Sequence, residues 1–236
     1  MARLRLMRAP QKYVQGKDAL LQFHDEMTSL GDKWLFICSH SGYNACHDKI
    51  EKSFAGTDDV RRYEIFGGVS SVGEIERMRQ IVRENGLNVV VGVGGGSAID
   101  TAKATAYYEK LPVVIIPTVV ATDAPCTGLS VIYNDDQTFN SYLFYPKNPE
   151  AVLVDSSVIA HAPVKFLVAG MGDALGTYFE ARACERTDAP SLENGGITRS
   201  AMALCKLCYE TLREYGAAAK KACECQVVNA SSRCNY

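Results

Sequence analysis

The sequence predicts an α/β fold in which helices cover both faces of a parallel sheet, followed by a purely helical region. Two observations support this prediction. From about Leu20 onward, strand-like and helix-like segments alternate, which is typical of a parallel sheet. After Pro163, only helical periodicity continues. We therefore expect an α/β domain over residues 1–162 and a helical region over residues 163–236.

Five strands of the sheet are predicted from their apolar runs. Asn88–Val93 is almost continuously apolar, as expected of a strand covered on both faces. The other predicted strands are Lys33–Cys38, Tyr63–Phe66, Val113–Pro117 and Val152–Val154. Segments with helical period separate the first four strands, at Tyr43–Phe54, Val72–Asn85 and Ser97–Glu109.

A change of pattern after the fourth strand predicts a β-hairpin. Two strand-like runs, Leu129–Tyr133 and Ser141–Tyr145, flank the turn-forming residues Asn134–Thr138.

Charge and hydropathy exclude two classes of partner. The 236 residues contain 25 Lys and Arg against 27 Asp and Glu, so nucleic-acid binding through bulk charge is not expected. The longest apolar stretch, Leu111–Ala121, contains two prolines and is far shorter than the roughly 20 residues of a membrane helix. Arginines near the N-terminus precede no apolar run, which argues against a secretory signal and leaves a mitochondrial-type leader open.

The cysteines allow two interpretations. Nine are present, at Cys38, Cys46, Cys126, Cys184, Cys205, Cys208, Cys223, Cys225 and Cys234. The odd number and irregular spacing favour reduced thiols in a cytoplasmic protein. Cys205, Cys208, Cys223 and Cys225 could form a four-thiolate zinc site. Because Cys205 and Cys208 lie in the helix-like run Ala201–Tyr215, buried thiols that act as small hydrophobic residues are the favoured interpretation.

A glycine-rich turn between a predicted strand and helix is the first candidate site. In Gly92–Ser97, glycines let backbone N–H groups approach a pyrophosphate, and the following helix N-terminus attracts negative charge. The turn lacks the Gly-Lys-Ser/Thr ending of a P-loop, which argues against kinases and ATPases of that class. Ser97 and Asp100 also have the spacing of a helix capping box, so both could be structural.

Two further segments carry polar groups at useful positions. The loop Thr118–Gly128 follows a strand and contains Asp123 among several hydroxyl groups, which suits a polyhydroxylated ligand or simple turn stabilisation. Asp173 follows Gly170 and Gly172 beside an apolar helical run, where a helix cap is favoured over a ligand. No two of the four histidines have the i, i+4 spacing of a helical zinc motif.

Several motifs together resemble the glycerol dehydrogenases of the metal-dependent, iron-containing-type alcohol dehydrogenase superfamily. They are Gly92–Lys103, Ile116–Cys126, Leu129–Tyr133, Ala169–Asp173 and Phe179–Cys184. The resemblance extends from about Arg8 to about Ala230. It implies a Rossmann-like N-terminal domain, an all-helical C-terminal domain, a cleft where NAD and a polyol meet at a zinc ion, and homo-oligomers.

Carried over position by position, the resemblance assigns roles to individual residues. Cofactor-binding positions would be Gly94, Gly95, Gly96, Ser97 and Asp100 at the glycine-rich turn, with Ser39, Thr118, Thr127, Leu129 and Tyr133 along the rest of the cofactor. Asp123 would contact the substrate and Asp173 would bind zinc, which makes these two the predicted catalytic residues. The implied activity is NAD-dependent oxidation of glycerol or a related polyol to dihydroxyacetone or its analogue, by hydride transfer from a zinc-bound alkoxide.

Two departures from the family pattern modify this expectation. Ser39 stands where the family usually has an aspartate that contacts the adenine-side ribose, so we expect weaker NAD binding or weaker exclusion of NADP. Family members continue through helices that supply two histidine ligands, whereas this sequence ends before them in Ser231–Tyr236. A lone carboxylate binds zinc poorly, so a catalytically incomplete NAD-binding fragment stays open. Missing helices would also expose apolar faces over Val164–Tyr215 and lower solubility.

Overall fold

The computed structural model describes residues 4–192 and 195–228 and contains a six-stranded parallel sheet, a separate hairpin and two long helices. The sheet strands are β1 (Lys12–Gly16), β2 (Lys33–Cys38), β3 (Val60–Ile65), β4 (Val89–Gly94), β5 (Val113–Pro117) and β8 (Ala151–Asp155), in the order β1-β8-β5-β4-β2-β3. All five neighbouring pairs are parallel. The hairpin pairs β6 (Leu129–Tyr133) with β7 (Phe139–Phe144) in antiparallel orientation.

Helices connect and cover the strands. They are α1 (Phe23–Met27), α2 (His40–Ser53), α3 (Val72–Asn85), α4 (Gly96–Glu109), α5 (Ser156–His161), α6 (Val164–Thr187) and α7 (Arg199–Glu224), with 3-10 turns at Ala19–Gln22, Thr28–Leu30 and Ala124–Cys126. The Ser39 and Ser71 hydroxyls cap α2 and α3 by accepting hydrogen bonds from backbone N–H groups. The N-terminus of α4, in contrast, begins at Gly95 with no side-chain cap.

The central strands β4 and β5 are buried along their whole length because their side chains are apolar on both faces. On one face, the rings of Phe23, Trp34, Phe36 and Phe54 pack together with centroids 5.5 to 6.5 Å apart. Since all strands run the same way, their carboxyl ends lie at one edge of the sheet, where ligands bind in open α/β folds.

The predicted fold class is confirmed. All five predicted strands, the three predicted helices and the hairpin are present, with ends that differ by at most three residues. β1, α1 and α5 were not predicted. β1 lies at the sheet edge and is mostly exposed, so it lacks the apolar run of the central strands.

The helices α6 and α7 pack against each other but contain no fully buried residue. Phe179, Leu204 and Leu207 are about half exposed. The boundary placed at residue 162 stays a prediction, although α6 begins just after it. Across the described residues, no helix has both the length and the apolar character needed to cross a membrane.

Candidate active site

The glycine-rich turn lies between β4 and α4. A Cβ on Gly94 would lie 2.9 Å from the Cβ of Ala98 and 3.0 Å from the Oγ of Ser39, so only glycine fits here without displacement. At Gly95 and Gly96, a Cβ would first meet Val119 at 3.3 Å and Thr122 at 4.0 Å, both from the loop after β5. The turn is therefore packed closely against this loop at Gly95 and has free space at Gly96.

The start of α4 is suited to an anion. Its first backbone N–H groups have no partner within the helix, and no side chain caps them. The exposed Ser97 lies in the first turn of this helix. Free N–H groups, the helix dipole and the space beside Gly96 fit the pyrophosphate of a dinucleotide.

A cavity of about 610 Å³ lies on one side of the loop after β5. Its lining includes Ser41 and Lys49 from α2, Thr118 and Val119 from the loop, and Pro163. Ser39, next to this wall, accepts a 3.0 Å hydrogen bond from the Gly42 N–H and donates its own N–H to Val93. The volume is in the range of ligand pockets and adjoins the glycine-rich turn.

A second cavity of about 800 Å³ lies between the same loop and the helices α6 and α7. Asp123 and Asp173 both line it. Gly170 makes this arrangement possible, because a Cβ there would lie only 1.9 Å from the backbone oxygen of Val120. Three residues later on α6, Asp173 lies on the same helix face as Gly170 and so faces the loop that carries Asp123.

The charge of Asp173 affects the titration of Asp123. Partial burial raises the pKa of Asp123, and the negative charge of Asp173 raises it further. The positive charge of Lys103 acts in the opposite direction. Two carboxylates that face one cavity repel each other and are stabilised by a cation or by hydroxyl donors placed between them.

The structure corrects two interpretations of the acidic residues. Asp173 lies well inside α6, so the helix-cap interpretation is wrong. The capping box is also wrong, because Gly95 is the N-cap of α4 and Asp100 bonds elsewhere. The Asp100 carboxylate pairs with Lys103 at 3.0 Å and accepts a 3.1 Å hydrogen bond from the Val131 N–H. A direct contact of Asp100 with a cofactor stays a prediction.

The four-thiolate zinc interpretation is wrong. Cys208 and Cys223 lie on the same helix, fifteen residues apart, which corresponds to about 22 Å along its axis. Within residues 4–192 and 195–228, no three His, Cys, Asp or Glu side chains lie close enough to share a metal ion. The residues around Asp173 therefore do not fit a zinc site by themselves. Cys234 lies outside the described residues, and the eight described cysteines are free thiols.

The hairpin presents the remaining predicted contacts. Leu129 and Tyr133 lie on the same half-exposed face of β6, while Ser130 and Ile132 point into the protein. Thr127 precedes this strand and donates its hydroxyl to Ala124. Leu129 and Tyr133 thus share a surface that begins just beyond the loop carrying Asp123.

Comparison with known proteins identifies the family. Residues 10–156 match the family model of the iron-containing alcohol dehydrogenases. The chain belongs to this family. It is 43% identical over 224 residues to the glycerol dehydrogenase of Pseudomonas putida, covering 95% of this chain and 61% of that protein. It is 45% identical over 222 residues to the Thermotoga maritima glycerol dehydrogenase, covering 91% and 58%.

A solved structure agrees with these relatives. The glycerol dehydrogenase from Schizosaccharomyces pombe superposes with a TM-score of 0.90 at 33% identity, covering 97% of this chain and 58% of that one. The resemblance found in the sequence is therefore confirmed. The chain spans about three fifths of the length of the relatives it matches.

Two residues with close tertiary contacts near this site were given no role from the sequence. Gly170 lies in the motif Ala169–Asp173, but its contact with Val120 is a tertiary feature that the motif does not encode. Lys103 is almost fully buried, although lysine is normally exposed. The available signal was its place in Ala98–Ala106, a run rich in alanine in which Asp100 stands three residues before it as a possible partner.

Proposed function

We propose that this chain carries the NAD-binding half of a glycerol-dehydrogenase-type oxidoreductase, together with the carboxylates that face its polyol substrate. The observation that supports this most strongly is the shared loop after β5. Thr118 and Val119 line the cavity beside the glycine-rich turn, whereas Val120, Thr122 and Asp123 line the second cavity. A dinucleotide held at the turn would thus reach the cavity that contains both carboxylates.

Each part of the site has a role in this proposal. Gly94, Gly95 and Ser97 hold the pyrophosphate, and Leu129 and Tyr133 lie along the nicotinamide half. Asp123 accepts hydrogen bonds from substrate hydroxyl groups. In the reaction, a carbon–hydrogen bond of the alcohol transfers hydride to NAD while the hydroxyl group loses its proton, which converts a small polyol such as glycerol to its hydroxy ketone.

Asp173 is the described residue that we assign to zinc binding. Its carboxylate would be a metal ligand, but the described residues supply no complete ligand set, so we assign no catalytic step to a metal here. This donor set favours a second candidate function, an NAD-binding fragment that does not turn over alone. The two candidates share the cofactor site and differ in whether ligands from elsewhere complete the metal site.

One experiment separates these candidates. NADH binding is measured by fluorescence, and NADH formation is measured with NAD, excess glycerol and added zinc. Wild type is compared with Asp173→Ala and with Glu180→Ala, which changes an exposed carboxylate on the same helix. Turnover lost only in Asp173→Ala supports the dehydrogenase. Binding without turnover supports the fragment, and absence of NADH binding in the folded protein refutes both.

A further inference from the structure

A buried polar network connects α4, which begins at the glycine-rich turn, to the segment 124–131 that follows Asp123. Lys103 is 3% exposed, and its ammonium group has three acceptors. It pairs with Asp100 at 3.0 Å, donates to the backbone oxygen of Ala124 at 2.9 Å, and donates to the backbone oxygen of Leu129. One side chain of α4 therefore holds both ends of the segment 124–129.

A second set of bonds holds the start of the hairpin. Asp100 accepts the N–H of Val131, and the fully buried Ser130 donates its hydroxyl to the backbone oxygen of Asp100. Tyr145 in turn donates its hydroxyl to Ser130 at 2.7 Å. These contacts place β6 against α4 in a single register, because each polar group is buried and would be costly to leave unpaired.

The segment held in this way carries the predicted ligand contacts. Asp123 immediately precedes it, Thr127 and Leu129 lie within it, and Tyr133 follows on the same strand. The start of α4, whose free N–H groups suit an anion, lies one to two turns before Asp100 and Lys103 on the same helix. The network is therefore the physical connection between the phosphate end of the site and its nicotinamide and substrate end.

We propose that Lys103 and Asp100 are positioning residues that set the distance between the pyrophosphate cradle and the surface formed by Asp123, Leu129 and Tyr133. This inference rests on the proposed NAD site and deepens it. Burial lowers the pKa of Lys103, and the adjacent Asp100 carboxylate partly offsets that effect. The charge of Lys103 also favours the ionised form of Asp123.

The test compares two probes that contact different parts of the site. ADP reaches only the cradle and the cavity beside it, whereas NADH also needs the hairpin surface. Lys103→Met is expected to keep ADP affinity within about twofold and to weaken NADH binding at least about tenfold. The matched control is Thr105→Val, since Thr105 is buried in the same helix but bonds only to Thr101.

A general loss of stability would weaken the binding of ADP and of NADH to the same extent. Equal weakening of ADP and NADH in Lys103→Met, or equal behaviour of Lys103→Met and Thr105→Val, would overturn the inference. If Lys103→Met does not fold, Asp100→Asn removes one charge and keeps an acceptor for Val131. Asp100→Asn is expected to weaken NADH binding about threefold more than ADP binding. Equal weakening of the two probes in this variant would also overturn the inference.

Hydrogen exchange of the ligand-free protein distinguishes failure of this inference from failure of the proposed function. Faster exchange of the Cys126 and Val131 amides in Lys103→Met, with α4 itself unchanged, supports the network even if the wild type binds no NADH. Unchanged exchange in that segment argues against it. Absence of NADH binding by the folded wild type refutes the proposed function separately.

Discussion

Gly170→Ala tests whether one glycine brings α6 against the loop after β5. The added Cβ would lie 1.9 Å from the Val120 oxygen and 2.9 Å from its carbonyl carbon, and both atoms are backbone. Relief requires the helix or the loop to move by about 1 Å, in a structure whose packing does not yield freely. Overpacking of this kind costs about 1–3 kcal/mol.

The same helix offers a matched control. A Cβ on Gly172 would meet nothing within 4 Å, so Gly172→Ala gains helix propensity without a clash. Both substitutions gain about the same 1 kcal/mol of propensity, which cancels when the variants are compared. We therefore expect Gly170→Ala to have a free energy of unfolding about 1–3 kcal/mol below that of Gly172→Ala.

The assay is urea unfolding followed by circular dichroism at 222 nm for both variants and the wild type. Gly172→Ala should be at least as stable as the wild type. If Gly170→Ala proves as stable as Gly172→Ala, then α6 does not depend on its contact with Val120. The argument that this glycine brings Asp173 to face Asp123 would then fail.

Three further predictions follow from the site. Ser39→Asp should raise the ratio of NAD to NADP affinity, because a carboxylate hydrogen-bonds the ribose and repels a 2′-phosphate; an unchanged ratio in binding titrations would contradict this. The pKa of Asp123 is raised in the folded protein, so the folded state binds this proton more tightly than the unfolded state. The contribution of Asp123 to the free energy of unfolding therefore falls as the pH rises above the ordinary pKa of an aspartate. Asp123→Asn should therefore gain stability relative to the wild type between pH 4 and pH 7 in urea unfolding, and a gap that does not change with pH would refute the stated cause. Exposed Leu204 and Leu207 on α7 should drive self-association, so Leu204→Glu with Leu207→Glu should lower the sedimentation coefficient distribution toward a monomer, whereas a wild-type protein that is already monomeric would exclude this role.

The glycine-rich turn could be predicted from the sequence because its signals are local. A run of buried valines, a cluster of glycines and a helix with small residues follow one another over Val89–Lys103, and each part forms as its composition indicates. The hairpin was predictable for the same reason. Local pattern and tertiary structure agree at these positions, which is the condition under which sequence reasoning succeeds.

The structural roles of Asp100 and Asp173 could not be predicted from local sequence patterns. Gly170 and Gly172 suggested that a helix starts near Asp173, but the helix continues through both because Gly170 packs against Val120. Asp100 had the spacing of a cap, yet it bonds to Val131, thirty-one residues away. In both cases a contact distant in sequence decided the outcome, and no period or spacing along the chain encodes such a contact.

The distribution of buried side chains separates the two halves of the proposed site energetically. Among the described residues, every buried hydrophobic side chain lies between Ala19 and Ala160. The helices α6 and α7 therefore contribute no buried hydrophobic residue to the core around the glycine-rich turn and the Lys103 network. Asp173 is instead held by a helix without a buried residue of its own. Stability is lowest where few apolar contacts are buried. The glycine-rich turn thus lies in the more firmly ordered half of the proposed site, and Asp173, on the half-exposed helix, depends more on what covers that helix.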